Sequence, residues 1–158
     1  MMSVGQFVVF RLANSRYGIE IRSLVEVVNM VALTPVPTAL GGRAPRRAAA
    51  GLINVRGVIM AVFDLRSLFE LSSISPTNAT RILIVKAGER SMGLIVDAVA
   101  GVVDPAMGDV NEVESDRGRV PGTSEALTHV YQVPDGLVLI IDVDRLLADV
   151  DVNVSDSV

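Results

Sequence analysis

Apolar residues in this chain fall in short runs broken by turn formers, a pattern of strands more than of helices. The clearest stretch is GLINVRGVIMAVFDLRSLF, from Gly51 to Phe69. Leu52 to Val55 is apolar, Arg56-Gly57 interrupts the run, Val58 to Phe63 resumes it, and Asp64 ends it. This reads as strand, turn, strand and the start of a helix. A guanidinium is rarely buried without a partner, so the turn presents Arg56 to solvent or to another molecule. Asp64 stands where the helix begins, with Leu65, Leu68 and Phe69 as its apolar face. Its carboxylate is placed to accept bonds from unpaired amides, a cap worth about 1 kcal/mol.

The rest of the chain follows the same grammar. Phe7 to Leu12 and Tyr17 to Ile21 form a hairpin about Ala13-Asn14-Ser15-Arg16. Leu24 to Val28 fits either a third strand or a short helical turn capped by Ser23, and the pattern does not choose. Pro35 and Pro37 lack backbone donors and mark a loop or a sheet edge. Leu40 to Ala50 reads as a solvated excursion whose Arg43, Arg46 and Arg47 keep it soluble. Ser72 to Thr80 is a linker, and Arg81 to Lys86 and Met92 to Val96 are strands about a turn. Met107 to Glu125, polar and acidic with scattered glycines, reads as a long loop. Thr128 to Val133 and Leu137 to Ile141 flank the turn Pro134-Asp135-Gly136, and Asp142 opens a last helical turn. Residues 148–158 have little to bury and read as a frayed tail.

The chain also repeats itself. A shift of 75 residues sets Gly18 on Gly93 and aligns VVFRLANSRYGIEIRSLVEVV with LIVKAGERSMGLIVDAVAGVV. Leu24 then falls on Val99, Val27 on Val102 and Val28 on Val103. A shift of 78 residues sets IMAVFDLRSLF on LVLIIDVDRLL. Hairpin, core strand and capped helix therefore occur twice, in units of roughly 7–69 and 82–147. Such a repeat predicts an all-β chain of two similar small barrels packed together in one domain over residues 1–158.

Composition narrows the class. The chain has 158 residues, 50% of them hydrophobic but only 4% aromatic, so a core of Val, Ile and Leu large enough to stand without staples is expected. There is no cysteine, which removes disulfides and thiolate metal sites. A net charge of -4 opposes binding to phosphate backbones or anionic lipid, so nucleic acid is not expected as a partner. No basic leader precedes a long apolar run, and no uncharged apolar run reaches membrane-spanning length, so a cytoplasmic protein without direct membrane insertion is expected.

Catalysis finds little support. There is no G-x-S-x-G elbow, P-loop or dinucleotide fingerprint, and His129 is the sole histidine, flanked by strand formers. Asp142 and Asp144 are too few oxygen ligands for a hard cation and serve better as a helix start. Neither catalytic nor metal residues, nor a cofactor, are expected.

YGIEIRSLVEVV, PVP, GLINVRGVIMAVFDLRSLF, MGLIVDAVAGVV and LVLIIDVDRLL, in this order from about Phe7 to Leu147, resemble the CheW-type coupling proteins of bacterial chemotaxis. The Gly-x-x-Asn-x-Arg-Gly run with Asp64-Leu65-Arg66 behind it is the most specific part; Ala61, where the family usually has proline, and a longer loop at Leu40 to Ala50 depart from it. The resemblance implies two intertwined SH3-like five-stranded barrels with short helices and an adaptor without catalytic activity. Its partners would be the cytoplasmic tip of a methyl-accepting chemoreceptor and the regulatory domain of a CheA-type histidine kinase, in arrays at the membrane. The alternative is a regulatory or self-associating module of a specialised array controlling surface motility or second messengers. Carried over, a groove between the lobes would use Leu24, Glu26, Val99 and Thr80, and Gly51, Asn54, Arg56 and Gly57 would shape the adjoining turn. Glu26 would sit at the rim and favour an Arg or Lys of the partner, and Leu24→Asp would weaken binding while sparing the melt.

Overall fold

Apolar residues at successive positions of a strand must be buried on both faces, and the strands here divide their side chains between separate cores. In β1 (Phe7–Leu12), Phe7 and Val9 enter one core while Val8, Phe10 and Leu12 enter another. The computed structural model describes residues 5–36, 49–107, 110–113, 126–148 and 150. Within these, β2 (Ser15–Glu20), β3 (Leu24–Asn29), β4 (Gly51–Val55) and β5 (Val58–Asp64) lead to α1 (Leu65–Leu68). There follow β6 (Arg81–Ala87), β7 (Arg90–Val96), β8 (Ala98–Val103), β9 (Asn111–Val113), β10 (Leu127–Val133), β11 (Gly136–Ile141) and α2 (Val143–Ala148).

Two sheets result. One runs β8-β1-β2-β11-β10-β9 and the other β3-β6-β7-β5-β4. The halves of the chain are interleaved: β1 and β2 lie in the first sheet, but β3, after a 3-10 turn at Ile21–Ser23, pairs with β6 in the second. Reciprocally, β6 and β7 lie in the second sheet and β8 crosses at Asp97 to pair with β1. Hairpin β4–β5 joins β7, and hairpin β10–β11 joins β2, each through a parallel pair. A repeat unit therefore supplies strands to both sheets.

The parallel junctions fall on the two glycines that anchor the repeat. Gly18 stands opposite Ile140, and Gly93 opposite Val62. A β-carbon on Gly18 would lie 2.9 Å from Ile140 Cδ1, and one on Gly93 would lie 2.8 Å from Ile82 Cγ2 and 3.0 Å from Val62 Cγ2. Neither site has room for a side chain. The five-stranded sheet curls until the chain beyond β3 meets β4: Thr34 and Leu52 exchange both backbone bonds, at 2.9 and 2.7 Å.

Three cores fill this frame. Phe7, Val9, Tyr131, Val133, Val138 and Ile140 pack within the first sheet, and Ile53, Met60, Val62, Ile82 and Ile84 within the second. The third lies between the sheets and draws on both, with Val8, Phe10, Phe63, Leu83, Val85 and Leu94. Leu65 and Leu68 of α1 and Val143, Leu146 and Leu147 of α2 enter it too. The apolar seam between the sheets is thus largely filled, in part by the helices.

The all-β class holds, with several corrections to what the pattern led us to expect. The first sheet has six strands instead of five, because β9 forms inside the stretch read as a long loop. Three residues pair there with β10, from Gln132↔Asn111 to Val130↔Val113. Leu24 to Val28 is strand, and Ser23 closes the 3-10 turn before it. The expected tail begins too early: Ala148 belongs to α2, and Val150 is buried in the core between the sheets. Arg43, Arg46 and Arg47 lie outside the described residues, as do 151–158.

The two glycines predict unequal costs. At Gly18 the tightest contact, Ile140 Cδ1, ends a flexible side chain and the stiff Val138 Cγ1 stands back at 3.2 Å, whereas at Gly93 the two tightest contacts, at 2.8 and 3.0 Å, both branch from Cβ and are stiff. Gly93→Ala should lower stability by about 1–3 kcal/mol in urea melts. Gly18→Ala should cost visibly less, and equal losses would contradict this account.

Candidate partner-binding rim

Edge strands β3 and β8 carry equivalent bulges. In β3, Leu24 faces Val85 and Glu26 faces Ile84, leaving Val25 unpaired. In β8, Val99 faces Phe10 and Gly101 faces Val9, leaving Ala100 unpaired. Each bulge flips the face of the residues before it, so they turn from the barrel core toward the seam. Residues directly opposite in a ladder share a face. Leu24 and Val27, opposite Val85 and Leu83, and Val99 and Val102, opposite Phe10 and Val8, therefore lie on the side of the core between the sheets.

Their exposure separates them. Val27, Val99 and Val102 are 39%, 36% and 54% exposed, an apolar rim that water touches. Leu24 is half-buried and packs against the core, so an aspartate there is expected to cost stability, contrary to the expectation that the melt would be spared. Val27 and Val102 did not figure among the predicted site residues. The repeat aligned them with each other, and that alignment was the available signal.

The hairpin turn is built as the GLINVRG run predicts. Arg56 and Gly57 both have positive φ, 51° and 86°, as a two-residue hairpin turn with the right twist requires. The Gly57 N–H donates to Asn54 Oδ1 at 2.8 Å, fixing the turn. Gly51 is buried, and a β-carbon there would meet Leu33 Cβ at 2.6 Å and the Thr34 carbonyl at 2.9 Å. It lets the chain after β3 close against β4. Asn54, Gly57 and Gly51 thus have structural work at this end of the sheet.

Glu26 and Arg56 find each other. Arg56 Nη1 donates to Glu26 Oε1 at 2.9 Å, and Nη2 lies 2.8 Å from Oε2. The expected cationic partner of Glu26 is supplied by this chain, across the gap between β3 and the β4–β5 turn. Arg56 remains 78% exposed and Glu26 20%, so the guanidinium presents its other surface outward. Thr80 is buried, and its hydroxyl accepts from the Thr77 N–H at 2.9 Å to close a turn before β6.

A second ion pair is better shielded. Arg66 Nε donates to Asp97 Oδ1 at 2.8 Å and Nη2 to Oδ2 at 2.6 Å, with side-chain exposures of 12% and 20%. Bonding to Arg66 holds the Asp97 carboxyl below the usual carboxylate range, with help from the Ala13 N–H and against the effect of burial. Asp64 runs the other way: burial raises it, although its carboxylate accepts from the Arg66 amide at 3.0 Å as the expected cap. His129 Nδ1 contacts Glu112 Oε1 across β10 and β9 on an exposed surface, and Asp142 caps α2 through the Arg145 N–H at 3.1 Å. Among the described residues no helix is long and apolar enough to cross a membrane.

Interleaved curled sheets with a rim of valines and a charged turn define an all-β module whose distinctive chemistry lies on its surface. Residues 6–151 match the model of the CheW-like domain, and the chain belongs to that family. It is 27% identical to the chemotaxis protein CheW of Klebsiella aerogenes, over 99% of this chain and 90% of that one. It is 28% identical to the chemotaxis protein CheW of Bacillus subtilis, over 90% and 86%. The crystal structure of the scaffolding protein TtCheW from Thermoanaerobacter tengcongensis superposes with a TM-score of 0.74 at 28% identity, covering 93% of this chain and 89% of that one.

The two ion pairs should behave differently. Arg56→Ala should cost under about 1 kcal/mol, as exposed pairs do. Asp97→Asn should cost about 2 kcal/mol at pH 7, less than a fully buried pair because some water reaches it. A carboxyl with a depressed folded pKa contributes stability that is complete above its unfolded value, near about 4, and lost as pH falls through the folded value. The gap between wild type and D97N should therefore close below about pH 4 in denaturant melts, and a gap constant with pH would refute the assignment.

Proposed function

We propose that this chain is a non-catalytic adaptor joining the cytoplasmic tip of a chemoreceptor to the regulatory domain of a CheA-type histidine kinase. It would work in the cytoplasm at membrane-associated receptor arrays. The observation that carries the reading is the valine rim, repeated on two edge strands and turned by matching bulges toward one seam. An apolar strip of this kind suits one face of an amphipathic receptor helix, read by a few side chains. The names of the relatives, chemotaxis and scaffolding proteins, support coupling over a specialised array.

Arg56 supports the same reading from the neighbouring turn. A non-glycine residue at positive φ costs about 1–2 kcal/mol, and strain of this order tends to persist where a side chain has a task. Held by Glu26 yet largely exposed, Arg56 offers an anchored cation to an acidic group on a partner. Leu24 would support the rim from below, and Thr80, Gly51, Asn54 and Gly57 would maintain the scaffold around it.

Calorimetric titration with a receptor-tip fragment and with a kinase regulatory domain tests the proposal. Val99→Asp and Val27→Asp should each weaken receptor-tip binding about tenfold or more. Their melts should change by less than about 1 kcal/mol, because both side chains already meet water. Wild-type protein that binds neither probe would end the adaptor reading.

A further inference from the structure

The two rim strands emerge from crossovers of different construction. The chain passes from β2 to β3 through the 3-10 turn Ile21–Ser23, where Arg22 is exposed and, among the described residues, pairs with nearby Glu20. From β7 to β8 it passes through Asp97, the residue that the repeat places on Arg22. Asp97 is gripped from three directions. Arg66, on α1, holds both carboxylate oxygens, and the Ala13 N–H from the β1–β2 turn donates to Oδ2 at 2.8 Å. The Asp97 N–H donates to the Arg11 carbonyl at 3.0 Å, starting the ladder between β1 and β8. Arg66 is itself fixed: its amide is capped by Asp64, and Nη1 donates to the Ser72 carbonyl at 2.8 Å.

We infer that Arg66, acting through Asp97, is a positioning residue that sets where β8 leaves the crossover and so how Val99 and Val102 are presented to a partner. A bidentate guanidinium fixes both the distance and the plane of the carboxylate, and Val99 follows only two residues later. Among the described residues no such bidentate clamp holds the start of β3. Arg66 makes no part of the rim itself, and it acts on one rim strand only. The binding half of this inference rests on the adaptor reading; the positioning half does not.

Hydrogen exchange and titration on the full chain separate the two. Arg66→Leu should raise amide exchange in β8 about tenfold at a temperature well below the melt, with exchange in β3 unchanged. Binding of the receptor-tip fragment should weaken about fivefold to tenfold, and Arg66→Lys, which keeps the charge but not the fork, should fall between. If R66L does not fold, R66K and D97N carry the same comparison. Equal acceleration in β3 and β8, or none in β8, overturns the positioning role. Faster β8 exchange with unchanged binding overturns the link to the partner. Wild-type protein that fails to bind while V99D behaves identically overturns the adaptor reading and the binding half with it, and β8 exchange still decides the clamp.

Discussion

A β-carbon at Gly18 or Gly93 would fall 2.9 or 2.8 Å from a side chain packed against it, and the architecture depends on this missing atom twice over. At each glycine a hairpin from the other half of the chain lies alongside in parallel, β11 against β2 and β5 against β7. Parallel neighbours cannot be joined by a tight turn, so distant chain must supply them. With the glycine in place, Ile140 and Val62 approach closely enough for each sheet to accept its foreign hairpin. Without that acceptance the sheets would shrink to the three-stranded pieces β8-β1-β2 and β3-β6-β7, and the detached two-stranded hairpins would bury too little apolar surface to stand alone.

Interleaving decides where the surface chemistry goes. Because β3 and β8 leave their own hairpins to pair in the opposite sheet, both end as edges on either side of a shared core. An exposed edge is a hazard that a bulge reduces by breaking the register available to a stray strand. Here the bulges at Val25 and Ala100 do a second thing, turning Leu24 and Val99 toward the seam. Most of that seam is occupied by Phe10, Phe63, Leu83 and the apolar faces of both helices. What stays exposed to water on that side is Val27, Val99 and Val102.

Much of this was legible in the residues. The turn at Arg56-Gly57, the cap at Asp64 and the alignment of Gly18 with Gly93 are local or periodic features, and each is found where the pattern put it. Intertwined lobes were expected, but which sheet each strand joins was not legible, because a repeat specifies which segments are alike and says nothing about where each pairs. The bulges were hidden for a related reason: Val25 and Ala100 are small or apolar residues in apolar strands, so the shift that brings Leu24 and Val99 onto the same face as Val27 and Val102 leaves no mark in hydropathy. Glu26 and Arg56 were both singled out but not as partners, since thirty residues and the curl of a sheet separate them. Strand β9 escaped because three pairing residues in an acidic stretch carry no periodic signal.

The repeat is a duplication of backbone more than of electrostatics, and that difference gives the two edges separate characters. Arg66 aligns with Asp144, and Asp97 with Arg22, so among the described residues the shielded pair at the β8 crossover is answered at the β3 crossover by the exposed pair of Arg22 with Glu20. Near β3 the equivalent tie is made further along the strand, by Glu26 reaching Arg56 on the neighbouring turn. One edge is thus held at its root by a pair that water barely reaches, the other along its length by a pair whose cation is mostly solvated. Screening weakens exposed pairs far more than shielded ones. Rising ionic strength therefore loosens the β3 side before the β8 side.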